Sequence, residues 1–273
     1  MILSGKKVAE RISVETERLV SGLSVRPCLG VILVGENPAS RVYVNLKRRR
    51  AAEIGIDVRL RELPKDASDD DVSSVVRDFN VDAEVHGILV QMPLPEGHDT
   101  ERIIASIDPG KDVDGFHPEV IAQFLAGNRD LIPVFPWSII TLAKSVGVPL
   151  VGKRGVVVAN SELFGTMMEM ALENEGVATE TVLARDIDAG VDAISSADIV
   201  VTAIGQPERF SRELFKDDSI VIDGGVTEHD GKVFGDVAKE GDDSNIFLSP
   251  VPGGVGPITV ARLLCRTAEL AGK

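Results

Sequence analysis

The stretch Cys28-Leu29-Gly30-Val31-Ile32-Leu33-Val34, followed closely by Asn37-Pro38-Ala39-Ser40-Arg41-Val42-Tyr43-Val44-Asn45-Leu46-Lys47, sets the reading of the whole chain. Seven uncharged, largely branched residues predict a strand covered on both faces, as in a parallel sheet. Asn37 can cap a helix and Pro38 suits its first position, so the strand passes at once into a helix. On that helix Tyr43 and Lys47 fall at i and i+4, stacked on one face. If the face lines a cleft, desolvation lowers the lysine's pKa and equips it for proton transfer. A tyrosine packed on the sheet beside a snorkelling lysine fits the same spacing, and the helix alone leaves both readings open.

The pattern repeats outward. Residues 5–23 show helical spacing through Val8, Ile12 and Leu19. Ile56 to Leu60 reads as a second strand, Asp69 starts a helix through Val72, Val75 and Val76, and His86 to Val90 is a third strand. Strands alternating with helices predict an α/β unit whose active groups gather at the carboxyl ends of parallel strands. Gln91 stands there, before Met92-Pro93-Leu94-Pro95, whose prolines take the chain out of the ladder. Its amide can meet a substrate, fix the Lys47 ammonium, or merely satisfy loop backbone. The segment Asp108 to Pro118 reads as a shaped loop. Its aspartates lack the glycine position and terminal glutamate of a calcium loop. Asp114 is expected to be half-buried there and to need a donor-rich partner such as a fused amino-pyrimidine.

Leu131 to Pro136 reads as a crossing between two lobes, followed by a helix from about Trp137 to Val146. Gly155-Val156-Val157-Val158-Ala159-Asn160-Ser161-Glu162-Leu163-Phe164-Gly165 then predicts a strand, a tight turn and a helix start at Rossmann-like spacing. Backbone N–H groups there can hold a pyrophosphate, although only Gly165 remains of a G-x-G-x-x-G pattern. Thr181 to Asp186 is a second strand ending in Arg185, suited to a ribose 2′-phosphate or simply paired with Asp186. Asp198 to Gly205 and Ser219 to Gly225 add two strand-then-glycine units. Ser249-Pro250-Val251-Pro252-Gly253-Gly254-Val255-Gly256-Pro257-Ile258-Thr259 reads as a rigid pocket wall, and a helix from Thr259 to Leu270 closes the chain.

The 43 acidic residues exceed the 29 basic ones by 14, a balance that repels nucleic acid and anionic membrane surfaces. Two cysteines, Cys28 and Cys265, form no C-x-x-C pair, so neither a disulfide framework nor a thiolate zinc site is expected. The four histidines are scattered, are read as loop or surface residues, and suggest no metal site. No apolar run is long enough to span a membrane and the opening residues do not form a signal peptide, so a cytoplasmic protein is expected.

Four stretches taken together, Tyr43-x-x-x-Lys47, Gly87 to Pro95, Lys111 to Pro118 and Pro250 to Val260, resemble the bifunctional methylenetetrahydrofolate dehydrogenase/methenyltetrahydrofolate cyclohydrolase family, in order and over essentially the whole chain. The resemblance implies an α/β fold of two lobes with parallel sheets, the second a Rossmann-like dinucleotide-binding domain. It implies a catalytic folate-binding domain over residues 1–134, to which residues 255–273 return, an NADP-binding domain over 135–254, and a folate site in the cleft between them. Lys47 would be the central catalytic group, Tyr43 would stack near the folate, Gln91 would hold and tune Lys47, and Asp114 would bind the pterin. Pro252, Gly253 and Gly254 would line the folate pocket. Ala159, Asn160, Ser161, Gly165, Arg185, Ala203, Ile204, Gly205 and Val226 would meet the cofactor, NADP or alternatively NAD. The family oxidises 5,10-methylenetetrahydrofolate with NADP and hydrolyses the methenyl product to 10-formyltetrahydrofolate, in one-carbon metabolism and purine biosynthesis, usually as a cytoplasmic homodimer joined through the cofactor lobe.

Departures from the family pattern concentrate in the cofactor half. Pro133-Val134-Phe135-Pro136 places a phenyl ring where the family usually has a small hydroxyl side chain. Ala159 adds a methyl at a close-approach position, and Glu162 brings a negative charge near the expected phosphates. Three readings follow: a bifunctional folate enzyme, a cyclohydrolase with weakened or lost dehydrogenase activity, and a folate-binding regulatory protein without turnover.

Overall fold

Strands alternate with helices along the computed structural model, which describes residues 1–229, 231–239, 241 and 245–273. In order these are α1 (Gly5–Ser21), β1 (Cys28–Val34), α2 (Pro38–Glu53), β2 (Asp57–Leu63), α3 (Asp69–Val81), β3 (Gly87–Val90), α4 (Thr100–Ile104), α5 (Pro118–Leu125) and α6 (Val134–Lys144). They continue as β4 (Arg154–Ala159), α7 (Glu162–Glu173), β5 (Ala178–Leu183), α8 (Ile187–Ser196), β6 (Ile199–Ala203), β7 (Ile220–Asp223), β8 (Thr227–His229), β9 (Lys232–Phe234), β10 (Phe247–Leu248) and α9 (Val255–Ala271).

The chain divides into two compact units, Glu10–Val134 with Val260–Lys273, and Met1–Ala9 with Phe135–Thr259. In the first, three parallel strands run in the order β2-β1-β3, with Leu29 of β1 opposite Val58 and Gly87. Every residue of β1 is buried, as its uniform apolar run requires. Side chains of a strand alternate between faces, so Leu29, Val31 and Leu33 pack with Val44 and Ala51 of α2 and with Leu263 and Leu264 of α9. Ile32 and Val34 point the other way, onto Val72, Val76 and Phe79 of α3. Each such aliphatic side chain contributes about 1.5–3 kcal/mol on burial, which fixes β1 as the central strand between two helical layers.

The second unit carries a five-stranded parallel sheet in the order β10-β7-β6-β4-β5. The chain runs outward from β4 to β5 and then crosses back to place β6 on the other side of β4. Strands β8 and β9 pair antiparallel, Thr227 opposite Phe234, and the Asp230-Gly231 dipeptide between them is a hairpin signal carried by the sequence. Val156, Val158, Val200, Val221, Ile194 and Phe210 fill the core on one side.

Several boundaries differ from expectation. The opening residues Met1–Ala9, expected with the first lobe, belong to the second unit, because Leu3 donates to the Leu248 carbonyl at 2.8 Å and Gly5 to that of Gly253 at 2.9 Å. Leu19, expected on the apolar face of α1, is 38% exposed. Helix α6 starts at Val134 rather than near Trp137, since a proline at Pro136 still lies in its first turn, where a missing N–H is tolerated. Helix α9 likewise begins at Val255 and includes Pro257. Arg185 lies beyond the end of β5, in a short 3-10 turn Ala184–Asp186. His117, expected in a loop or at the surface, is buried, and its Nδ1 accepts from Glu119 N at 3.1 Å to cap α5.

Candidate active site

Helix α2 opens as the sequence predicts: Asn37 Oδ1 accepts from Ser40 N at 3.0 Å and Pro38 occupies the first turn. Such a cap is worth about 1 kcal/mol and fixes where Tyr43 and Lys47 fall. The Lys47 Nζ donates to Gln91 Oε1 at 2.8 Å. Gln91 is buried just beyond the carboxyl end of β3, and its own Nε2 donates to the Met92 carbonyl at 2.6 Å, which orients the oxygen towards the lysine. Burial pushes the Lys47 pKa below its ordinary value, with Asp114 acting in the opposite sense. Tyr43 is half-buried and its phenol is pushed up, also by burial.

The Asp114 carboxyl is raised to about 6, chiefly by burial, while Lys47 pulls it down and Asp112 raises it further. Three neighbours shape its loop, none of which the sequence reading singled out. Lys111 Nζ donates to the carbonyls of Phe79, Asn80 and Asp82 at 3.0, 2.8 and 2.8 Å, pinning the loop to the end of α3. The buried Asp112 carboxylate accepts from the N–H groups of Asp114, Gly115 and His117 at 3.1, 2.9 and 2.7 Å. Arg266 of α9 donates to the carbonyls of Val113 and Ile132 at 3.4 and 3.1 Å. The Asp-x-Asp-Gly spacing is a turn signal that points to Asp112; nothing local marks Arg266, whose partners lie far away in sequence. This unit therefore combines a desolvated amine, a fixed amide and a carboxyl raised by burial to about 6, which suits moving a proton and gripping a ring rich in N–H donors.

Pro252 is exposed, Gly253 half-buried and Gly254 buried, its N–H donating to the Pro250 carbonyl at 2.7 Å. All three belong to the unit containing residues 135–259.

In that unit, the chain reverses its winding between β4 and β6, the place where doubly wound sheets take dinucleotides. Ala159 ends β4 fully buried, and Ser161 caps α7 by accepting from Phe164 N at 3.3 Å. Asn160 Nδ2 donates to the Ile204 carbonyl at 2.8 Å, bridging the segments that follow β4 and β6. Gly165 packs against the sheet: a Cβ there would lie 2.6 Å from Thr181 Cγ2. It supplies the close helix-to-strand approach of the third glycine in a dinucleotide fingerprint. Ala203 and Gly205 flank the buried Ile204, and Val226 is 53% exposed. Arg185 is exposed and faces two acids, Glu162 at 3.4 Å and Asp186 at 3.5 Å. The Phe135 ring lies 5.7 Å from that of Phe164, and a Cβ on Gly224 would come within 2.8 Å of its Cζ. The capped helix start and the guanidinium fit a dinucleotide carrying a 2′-phosphate. Among the described residues no helix is long and apolar enough to cross a membrane, and no cluster of three metal-ligating side chains occurs.

Comparison with known proteins gives the same picture over the whole length. Residues 3–114 match the model of the tetrahydrofolate dehydrogenase/cyclohydrolase catalytic domain, and residues 133–273 match that of its NAD(P)-binding domain. The chain is 38% identical over 275 residues to the bifunctional protein FolD of Exiguobacterium sibiricum, covering 99% of each. It is 40% identical to that of a Drosophila simulans Wolbachia over 278 residues, covering 99% of this chain and 95% of the relative. Among solved structures, the bifunctional FolD methylenetetrahydrofolate dehydrogenase/cyclohydrolase of Campylobacter jejuni superimposes with a TM-score of 0.92 at 33% identity, covering 99% of this chain and 98% of that one. The Trypanosoma brucei enzyme, solved with NADP cofactor and an inhibitor, gives 0.92 at 31% identity, with 99% and 97% covered. The α/β fold with a desolvated lysine beside a fixed amide, and matches of this length in both halves, lead to one statement: the chain belongs to the tetrahydrofolate dehydrogenase/cyclohydrolase family.

Proposed function

We propose that this protein catalyses two consecutive steps of one-carbon folate chemistry, oxidation of 5,10-methylenetetrahydrofolate to the methenyl form with NADP, and hydrolysis of the methenyl form to 10-formyltetrahydrofolate. The observation that carries the reading is the Lys47–Gln91 hydrogen bond at 2.8 Å, with Asp114 electrostatically coupled to the same ammonium. When bound, the dinucleotide supplies the hydride acceptor. The carbon that loses hydride sits between two nitrogens and stabilises its own positive charge, so the protein's part is mainly orientation. Asp114 accepts N–H groups of the pterin and Tyr43 stacks beside it. In the hydrolysis, a water oxygen bonds to the methenyl carbon, the bond between that carbon and the ring nitrogen N5 breaks, one proton of the water ends on that nitrogen, and the other leaves to solvent, discharging the methenyl cation. Lys47, its pKa lowered by burial and its ammonium oriented by Gln91, manages the transferred proton.

In the same reading Pro252, Gly253 and Gly254 line the folate pocket. Ala159, Asn160, Ser161, Arg185, Ala203, Ile204, Gly205 and Val226 meet the cofactor, and Gly165 serves it through helix packing. The first unit is the catalytic domain and the second the cofactor domain. The protein works in the cytoplasm as a homodimer joined through the cofactor domain, where β5 ends the sheet. Purified protein is expected to reduce NADP with methylenetetrahydrofolate, to bleach the methenyl absorbance, and to elute at twice its chain mass. Failure of both reactions in folded protein would refute the enzymatic reading.

One observation favours a second reading in which hydrolysis outpaces oxidation. Phe135, whose ring packs on that of Phe164, crowds Gly224 after β7, on the side of the switch point away from β5 and Arg185, where the nicotinamide half of a dinucleotide belongs. The ratio of the two rates in one preparation distinguishes the readings.

A further inference from the structure

Two buried carboxylates, Asp223 and Asp236, lie in the second unit. Asp236 is fully buried and Asp223 nearly so. Asp236 Oδ2 accepts from Thr202 Oγ1 at 2.7 Å and from Ile204 N at 2.8 Å, while Oδ1 accepts from Gln206 N at 2.8 Å. Asp223 Oδ1 accepts from Gly225 N at 3.0 Å and Asp236 N at 3.1 Å, and Oδ2 accepts from Val237 N at 2.9 Å. The donors are backbone N–H groups and one hydroxyl. A carboxylate buried among neutral donors is retained only when each is aimed at it, so the surrounding backbone has one arrangement.

The two segments also interlock. A Cβ on Gly225 would sit 2.2 Å from the Asp236 carboxyl carbon, and one on Gly235 would sit 2.1 Å from Asp223 Oδ2. Each carboxylate occupies the space that a side chain on the opposite segment would need. The consequence falls on the loop after β6. Its N–H groups at 204 and 206 are tied to Asp236, the Ile204 carbonyl is held by Asn160, and the Gly205 carbonyl accepts from Thr227 Oγ1 at 2.9 Å. This is the loop that flanks the switch point opposite β4.

We propose that Asp236 is a positioning residue for the dinucleotide: by holding Thr202, Ile204 and Gln206 it presets the loop over residues 203–206 in the shape that receives the cofactor. The inference rests on the cofactor reading above. A loop ordered before binding loses little conformational entropy on binding, so its contribution is to dinucleotide affinity, not to folate chemistry. Asp236→Asn turns an NH2 group towards donors that have no use for it. Thr202→Val is milder, removing one hydroxyl while keeping the shape and the buried charge.

The test compares wild type, Asp236→Asn and Thr202→Val in three measurements: NADP affinity by calorimetry, the KM for NADP, and hydrolysis of methenyltetrahydrofolate without dinucleotide. The expected result is a loss of NADP affinity of about tenfold or more in Asp236→Asn and about threefold in Thr202→Val, with KM following, on the scale of a lost buried hydrogen bond to a charged group. Dinucleotide-free hydrolysis stays within about twofold of wild type on the same scale. Unchanged NADP affinity in folded Asp236→Asn, or equal losses in both activities, overturns the proposal. Should Asp236→Asn not fold, Thr202→Val decides by the same measurements. A wild-type protein that fails to bind NADP refutes the cofactor reading itself, a distinct outcome.

Discussion

Lys47 donates to the Gln91 side-chain oxygen at 2.8 Å, and the nitrogen of the same amide donates to the Met92 carbonyl at 2.6 Å. The amide cannot turn without breaking both bonds, so the ammonium meets an acceptor of fixed direction that brings no negative charge. A neutral amide adds no charge of its own against the desolvation of the lysine, which Asp114 opposes in part.

Exchange of that amide for a carboxylate tests this arrangement. Gln91→Glu is expected to raise the Lys47 pKa and move the corresponding limb of the hydrolysis pH profile to higher pH, with a fall in kcat. Lys47→Met is expected to lower hydrolysis by about 10²–10⁴-fold, the usual worth of a positioned proton-transfer group. Absorbance decay of the methenyl substrate across pH measures both.

The Asp114 carboxyl is held near 6, and a pterin that donates N–H groups requires it ionised. The KM for folate should therefore rise as pH falls below about 6, approaching tenfold per pH unit. Asp114→Asn should weaken binding and flatten this dependence. The same shift, and the similar one at Asp223, acts on stability in a defined sense. Both carboxyls are raised from an ordinary 3.8 to about 6, so between those values the folded state keeps protons that the unfolded chain has lost. Their contribution to stability falls as pH rises through this window and is level above it. Denaturant midpoints of wild type and Asp114→Asn from pH 4 to 7 would reveal the difference.

Arg185 is shared between Glu162 and Asp186 at the surface. A 2′-phosphate must displace at least part of this pairing, and exposed pairs of this kind are worth only about 0.2–1 kcal/mol. Glu162→Gln is expected to lower the KM for NADP about twofold to fivefold, within that range, and to leave that for NAD nearly unchanged. Arg185→Ala should do the reverse, weakening NADP alone. Steady-state kinetics with both dinucleotides separate these outcomes.

Gly165 approaches Thr181 so closely that a methyl group has nowhere to go. Gly165→Ala is expected to destabilise the protein by about 1–3 kcal/mol through overpacking, and Thr181→Ala in the same chain should restore part of the loss. Thermal melts of the three variants provide the comparison.

Asp112 makes its three hydrogen bonds to the backbone that carries Asp114. Asp112→Ala should loosen this turn and raise the KM for folate by about tenfold or more, as three hydrogen bonds to a charged group are lost, while NADP affinity stays unchanged.

Local chemistry made much of this molecule legible before any coordinates. The apolar run of β1 specified a strand buried on both faces. Asn37 and Pro38 specified the start of α2 and with it the shared face of Tyr43 and Lys47, and the two prolines after Gln91 specified the end of β3. These are short-range effects, in which a cap, a missing N–H or a period of two or 3.6 residues acts on its immediate neighbours. The sequence could not reveal that Asp112 and Arg266 brace the Asp114 loop, that Met1–Ala9 join the second unit, or that Asp236 ties the loop after β6. Those facts depend on groups up to about 250 residues apart in the chain, such as Leu3 and Leu248. A donor shows its acceptor only after folding has brought them together, and the direction of the Lys47 pKa shift likewise had to await the burial that tertiary packing imposes.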